Sequence, residues 1–137
     1  MSLRSERGTA AVEMALLAPV LVVLMAAVVA AGRIVETKSA VLAVAREAAR
    51  TASEAPDAAS AQSAALSTAH EVAAGLGLDP ARVALAQSPG AFGRGEAYRV
   101  SVSYQVRLAD LPGFGILPGS LVLFAEHTEL IDRFKSR

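Results

Sequence analysis

The apolar positions of this chain fall into two regimes. From Met14 to Gly32 they run almost unbroken, MALLAPVLVVLMAAVVAAG, 19 residues without a charge. At ~1.5 Å per helical residue, such a run matches the ~30 Å hydrocarbon core of a bilayer. It predicts a transmembrane helix over 9–32, preceded by a short polar leader over 1–8. Beyond Gly32 the apolar residues turn periodic. Ile34, Val35, Val41, Leu42, Val44, Ala45, Ala48 and Ala49 supply an apolar side of a helix, while Arg33, Glu36, Lys38, Arg46, Glu47, Arg50 and Glu54 supply the polar one. This predicts a helical stalk over 33–54, continuous with the span. From Thr9 to Ser53 the rod measures about 67 Å. Pro19 inside the span is tolerated there, with a kink as its usual consequence.

Pro56 breaks the stalk, and residues 55–137 form a separate extracytoplasmic head. A second, short helix is expected from about Asp57 to Gly75 or Gly77, with Pro80 beyond it as a stop signal. Its narrow face of Ala61, Ala65, Ala69, Val72, Ala73 and Leu76 suits close packing on the stalk. The stretch ASEAPDAASAQSAA is also readable as a linker. After Ala81 the period shortens to two. Arg82–Gln87 reads as a short strand, 89–95 as a loop, and Ala97–Ala109 as the clearest strand. In that strand Tyr98, Val100, Val102, Tyr104, Val106 and Leu108 alternate with polar residues. A Pro-Gly-rich connection leads to a last strand, Leu121 to about Leu130. The fold class is α+β: a long transmembrane-plus-stalk helix, a second short helix and a small three-stranded antiparallel sheet.

Composition narrows the chemistry. Thirteen basic and 13 acidic residues cancel, and aromatics make up 4%. A nucleic-acid partner is disfavoured, since neither a basic field nor a stacking platform is present. With no cysteine there are no disulfides and no thiolate metal sites. Of the two histidines, His70 and its neighbour Glu71 cannot share a helix face, and His127 and its neighbour Glu126 point to opposite faces of a strand. No nucleophile elbow or phosphate-binding loop is recognisable. Neither catalysis nor a cofactor or metal is expected.

The candidate chemistry lies at the N-terminus. Arg4 and Arg7 precede the apolar run and favour a cytoplasmic N-terminus, although Arg33 and Lys38 follow it closely. Glu13 is a carboxylate just inside the apolar segment, costly unless hydrated or partnered. It stands five residues after Gly8. The segment Gly8-Thr9-Ala10-Ala11-Val12-Glu13 resembles the prepilin-peptidase site of type IV pilins. Within that superfamily SERGTAAVEMALLAPVLVVLM is similar to TadE-like proteins, with their R-G-[ST]-x-x-x-E opening. The element Ala45-Arg46-Glu47-Ala48-Ala49-Arg50 resembles their stalk.

The resemblance implies cleavage between Gly8 and Thr9 by a prepilin peptidase. It implies a pairing of Glu13 with the new Thr9 amine of a neighbouring subunit, other pilin-like helices as partners, and a role in assembling a tight-adherence pilus. Two other readings stay open: an uncleaved tethered binding module, and a secreted domain cut after Val29-Ala30-Ala31. The apolar loop Leu111–Pro118 is a candidate partner surface through Phe114, Ile116 and Leu117. Its other reading has Phe114 and Ile116 tucked under the sheet, and TadE-like proteins often carry a similar Pro-Gly element there.

Overall fold

The computed structural model describes residues 3–90, 92–93 and 95–131, with side chains from Val12 onward. One helix, α1, runs from Leu3 to Glu54 and includes Pro19. Exposed ion pairs of Arg50 with Glu47 at 2.8 Å and with Glu54 at 3.5 Å line its far end. Solvent screens such pairs, so they add little to stability. Burial holds the upper part: Val41, Val44, Ala45, Ala48, Ala49 and Ala52 are fully inaccessible. The stalk is thus the spine of the core, although Val35, expected on its apolar side, is exposed.

The second helix, α2, spans Ala58–Gly75. Asp57 caps it, accepting the Ser60 N–H at 2.9 Å and the Ser60 hydroxyl at 2.9 Å. Those bonds, the backbone N–H first, hold the Asp57 carboxyl below the usual carboxylate range. At the other end Leu78 N–H reaches Ala73 O and Gly77 N–H reaches Ala74 O, with Gly77 at φ +75°. This is a Schellman ending, which needs a left-handed residue and suits glycine. Ala61, Ala65, Ala69 and Ala73 are buried. Alanine stripes on both helices let the backbones approach closely. Leu76, expected on that stripe, is instead exposed, and Leu78 beyond the turn is buried.

Asp79 then caps a 3-10 turn, Pro80–Arg82, that leads into the sheet. The strands are β1 (Val83–Ser88), β2 (Ala97–Arg107) and β3 (Ser120–Leu130), antiparallel in the order β1-β2-β3. Central β2 buries Tyr98, Val100, Val102, Tyr104 and Val106 against the helices, and β3 adds Leu123 and Ala125. The register pairs Val83 with Tyr104, Tyr104 with Leu123, and Arg107 with Ser120. The fold is therefore α+β, two helices on one face of a three-stranded antiparallel sheet.

The central strand is shorter than its apolar alternation suggested. Leu108–Asp110 form a 3-10 turn, and Leu108 is only half-buried. The Leu108 N–H donates across the loop to Gly119 O at 3.0 Å, and the Leu111 N–H closes back on Leu108 O. Those bonds curl the chain out of the ladder.

Candidate functional site

Two features stand out on this frame: the lower half of α1, and the loop between β2 and β3. Every large apolar side chain from Val12 to Val29 is exposed. Within the described part of α1, 6% of the most apolar 18-residue window is buried. A soluble fold does not leave a contiguous surface of this kind in water. Length and apolarity together make α1 able to cross a bilayer, and it is the one such helix among the described residues.

Glu13 lies near the start of that belt and is exposed. Among the described residues it has no hydrogen-bonding or ionic partner. The Gly8–Thr9 peptide falls inside α1, so the backbone there is helical. The Thr9 side chain, like Met1 and Ser2, lies outside the described residues. Thr9 and Glu13 are four residues apart, hence about 6 Å along the axis.

The loop residues part company. Phe114 is half-buried against the core, Ile116 is 94% exposed and Leu117 is 45% exposed. Phe114 therefore tucks in, and Ile116 does not. The loop does not meet Glu13. Gly113 abuts Ala26, 13 residues above Glu13 and so about 20 Å along the helix.

An ionic cluster at the base of this loop carried no signal in the linear pattern. Arg82 bonds Asp110 at 2.6 Å and Asp79 at 3.2 Å, while Arg107 reaches Asp110 at 3.3 Å. The Arg82 bond, then the Arg107 bond, hold Asp110 below the ordinary carboxylate range. Beside the cluster is a cleft of about 260 Å³ lined by Arg33 and Thr37 of α1, Tyr104 of β2 and Leu111 and Pro112 of the loop. Arg82 is already matched by two carboxylates, so the cleft offers little uncompensated charge to a ligand. His127 pairs with Glu129 at 3.2 Å, two residues along the same strand face. Neither His70 nor His127 joins a metal-like group of three His, Asp or Glu among the described residues.

Residues 8–50 match the family model for TadE-like protein. Over that stretch, 43 of the 137 residues, the chain is similar to TadE-like proteins. The TadE-like segment opens on Gly8, takes in Glu13 and the apolar belt, and ends at Arg50 of the buried spine. It stops short of α2 and the sheet. No curated protein and no solved structure matches the chain.

Proposed function

We propose that this chain is a minor pilin or pseudopilin, a membrane-anchored structural component in the assembly of a tight-adherence type IV pilus. The observation that carries the reading is Glu13: an exposed carboxylate at the foot of an apolar helix, without a partner among the described residues, inside the TadE-like segment. Burying it alone among neighbouring helices costs several kcal/mol. A terminal ammonium on Thr9 of a neighbouring subunit offsets that cost, and prepilin-peptidase cleavage after Gly8 creates it. Gly8 sits within helical backbone, and a glycine costs about 1 kcal/mol relative to alanine in a helix interior. Local opening for the peptidase is therefore cheapest at Gly8.

The secreted reading is disfavoured by the fold. A cut after Ala31 would detach Ala30, which is 4% exposed in the core, and Ala26, which faces Gly113. The head would lose part of its own packing.

The test is N-terminal sequencing of protein from cells that contain the prepilin peptidase, together with a Glu13→Gln variant. Expected are a mature start at Thr9 and, for Glu13→Gln, cleaved protein that stays in the membrane and is lost from sheared filaments. A start at Met1 or Gly32, or normal filament abundance with the variant, rejects the reading.

A further inference from the structure

We propose that the β2–β3 loop is a second membrane contact, with Ile116 and Leu117 seated at the headgroup–acyl boundary of the leaflet from which the head emerges. The proposal rests on α1 crossing the bilayer. Leu111 to Ala125 is a run of 15 residues without a charge, unusual for a connection plus the start of an edge strand. Its apolar side chains are not all used in the core. Ile116 is 94% exposed, Leu117 45% and Leu121 39%.

Position identifies the occupant. Gly113 lies against Ala26, and Ala26 is seven residues below Arg33, the first charge above the apolar run. At ~1.5 Å per residue the loop descends about 10 Å below that charge. The surface that Gly113 reaches is the apolar belt itself, so the loop meets α1 within its apolar run. Interfacial segments bury apolar residues to a similar depth of about 5–10 Å.

The polar boundary of the head falls at the same height as that of the helix. Arg33 shares a cleft with Asp110, Leu111 and Pro112, and Arg82 and Arg107 bond Asp110 there. Charge ends at Asp110 on the loop as it ends at Arg33 on the helix. Arg33 and Arg107 are largely exposed and long enough to reach lipid phosphates from this level.

Irregular backbone is costly in lipid because its polar groups need partners. This loop reduces the cost. Pro112 and Pro118 have no N–H to satisfy. The Leu111, Phe114 and Leu117 N–H groups bond within the loop, to Leu108 O, Leu111 O and Phe114 O.

The chain has no cysteine, so single cysteines report unambiguously. The full chain, carrying Ile116→Cys, Val22→Cys or Ser63→Cys labelled with nitrobenzoxadiazole, is reconstituted in vesicles of phosphatidylethanolamine and phosphatidylglycerol. Quenching is then measured with lipid nitroxides at shallow and deep positions and with aqueous iodide. The expected result is that I116C is quenched by the shallow nitroxide and several-fold less by iodide than S63C, while V22C responds to the deep nitroxide. If V22C behaves so but I116C is as open to iodide as S63C, the loop contact is overturned and the span stands. If I116C is shielded from iodide yet untouched by either nitroxide, protein covers it, and the lipid assignment is overturned. V22C as open to iodide as S63C overturns both the span and the proposal.

Discussion

Gly113 in the β2–β3 loop faces Ala26 in the apolar half of α1 so closely that a β-carbon at position 113 would lie 2.7 Å from the Ala26 Cβ. Its φ of +80° is in the left-handed region that side chains avoid. Gly113→Ala therefore meets both strain and overlap, and is expected to destabilise the head by roughly 1–3 kcal/mol. Thermal unfolding in detergent micelles reads the loss. Adding Ala26→Gly relieves the overlap and leaves the strain, so the double variant recovers part of the melting temperature.

Tyr98 is fully buried and donates its hydroxyl to the Gln87 side-chain oxygen on β1; the Gln87 amide in turn donates to Gln62 O on α2. Phe92 packs edge-on to the same ring with centroids 5.9 Å apart. Tyr98→Phe keeps the ring and strands the acceptor, a loss of about 1–3 kcal/mol. Chemical denaturation of the detergent-solubilised protein checks it, and an unchanged midpoint would mean that the hydroxyl contributes nothing.

The alanine stripes leave no room. Ala65→Leu at the α1–α2 contact is expected to cost roughly 1–3 kcal/mol or more by overpacking, whereas Leu66→Ala, on the exposed side next to it, changes the melting temperature little. Equal effects from the two variants would show that the helices are not closely packed.

Acid weakens the head at two carboxylates, one a helix cap and one an ion-pair partner. Asp57 and Asp110 are both held below their ordinary range, by Ser60 and by Arg82 with Arg107. A carboxylate lowered on folding binds its proton more readily in the unfolded chain, so its contribution is full above about pH 4 and disappears as pH falls through the folded value. Melting temperature should drop below pH 4, with a shallower drop in Asp57→Asn, whose amide still accepts from Ser60 N–H but does not titrate.

Alkali acts through Tyr98, whose burial raises its pKa. The folded state then favours the neutral phenol, so its contribution is full below about pH 10 and is lost as pH climbs through the raised value. Ultraviolet titration is expected to show Tyr98 ionising later than a free phenol, and Tyr98→Phe should abolish that late step.

Much of this architecture was legible along the chain because single elements carry their own periodicity. The alternation from Tyr98 to Val106 identified the inward face of β2 before any partner was known, and the alanines at 61, 65, 69 and 73 marked the buried face of α2. Asp57 and Gly77 announced the ends of that helix through local hydrogen bonding and backbone freedom. Loops gave weaker signals. Leu76, expected on the buried stripe, is exposed, and Phe114 and Ile116, two residues apart, took opposite fates.

The order of residues alone determined a bilayer-length apolar helix, a lone acid at its foot and the succession of helix, helix and three strands. Each depends on near neighbours in the chain, through helical rise, side-chain alternation and caps. Only the tertiary structure decided that Gly113 would descend to Ala26, that Asp110 would gather Arg82 and Arg107, and that the stalk would be the core's spine. Those contacts join residues far apart in sequence, so they exist only once packing has chosen which surfaces meet.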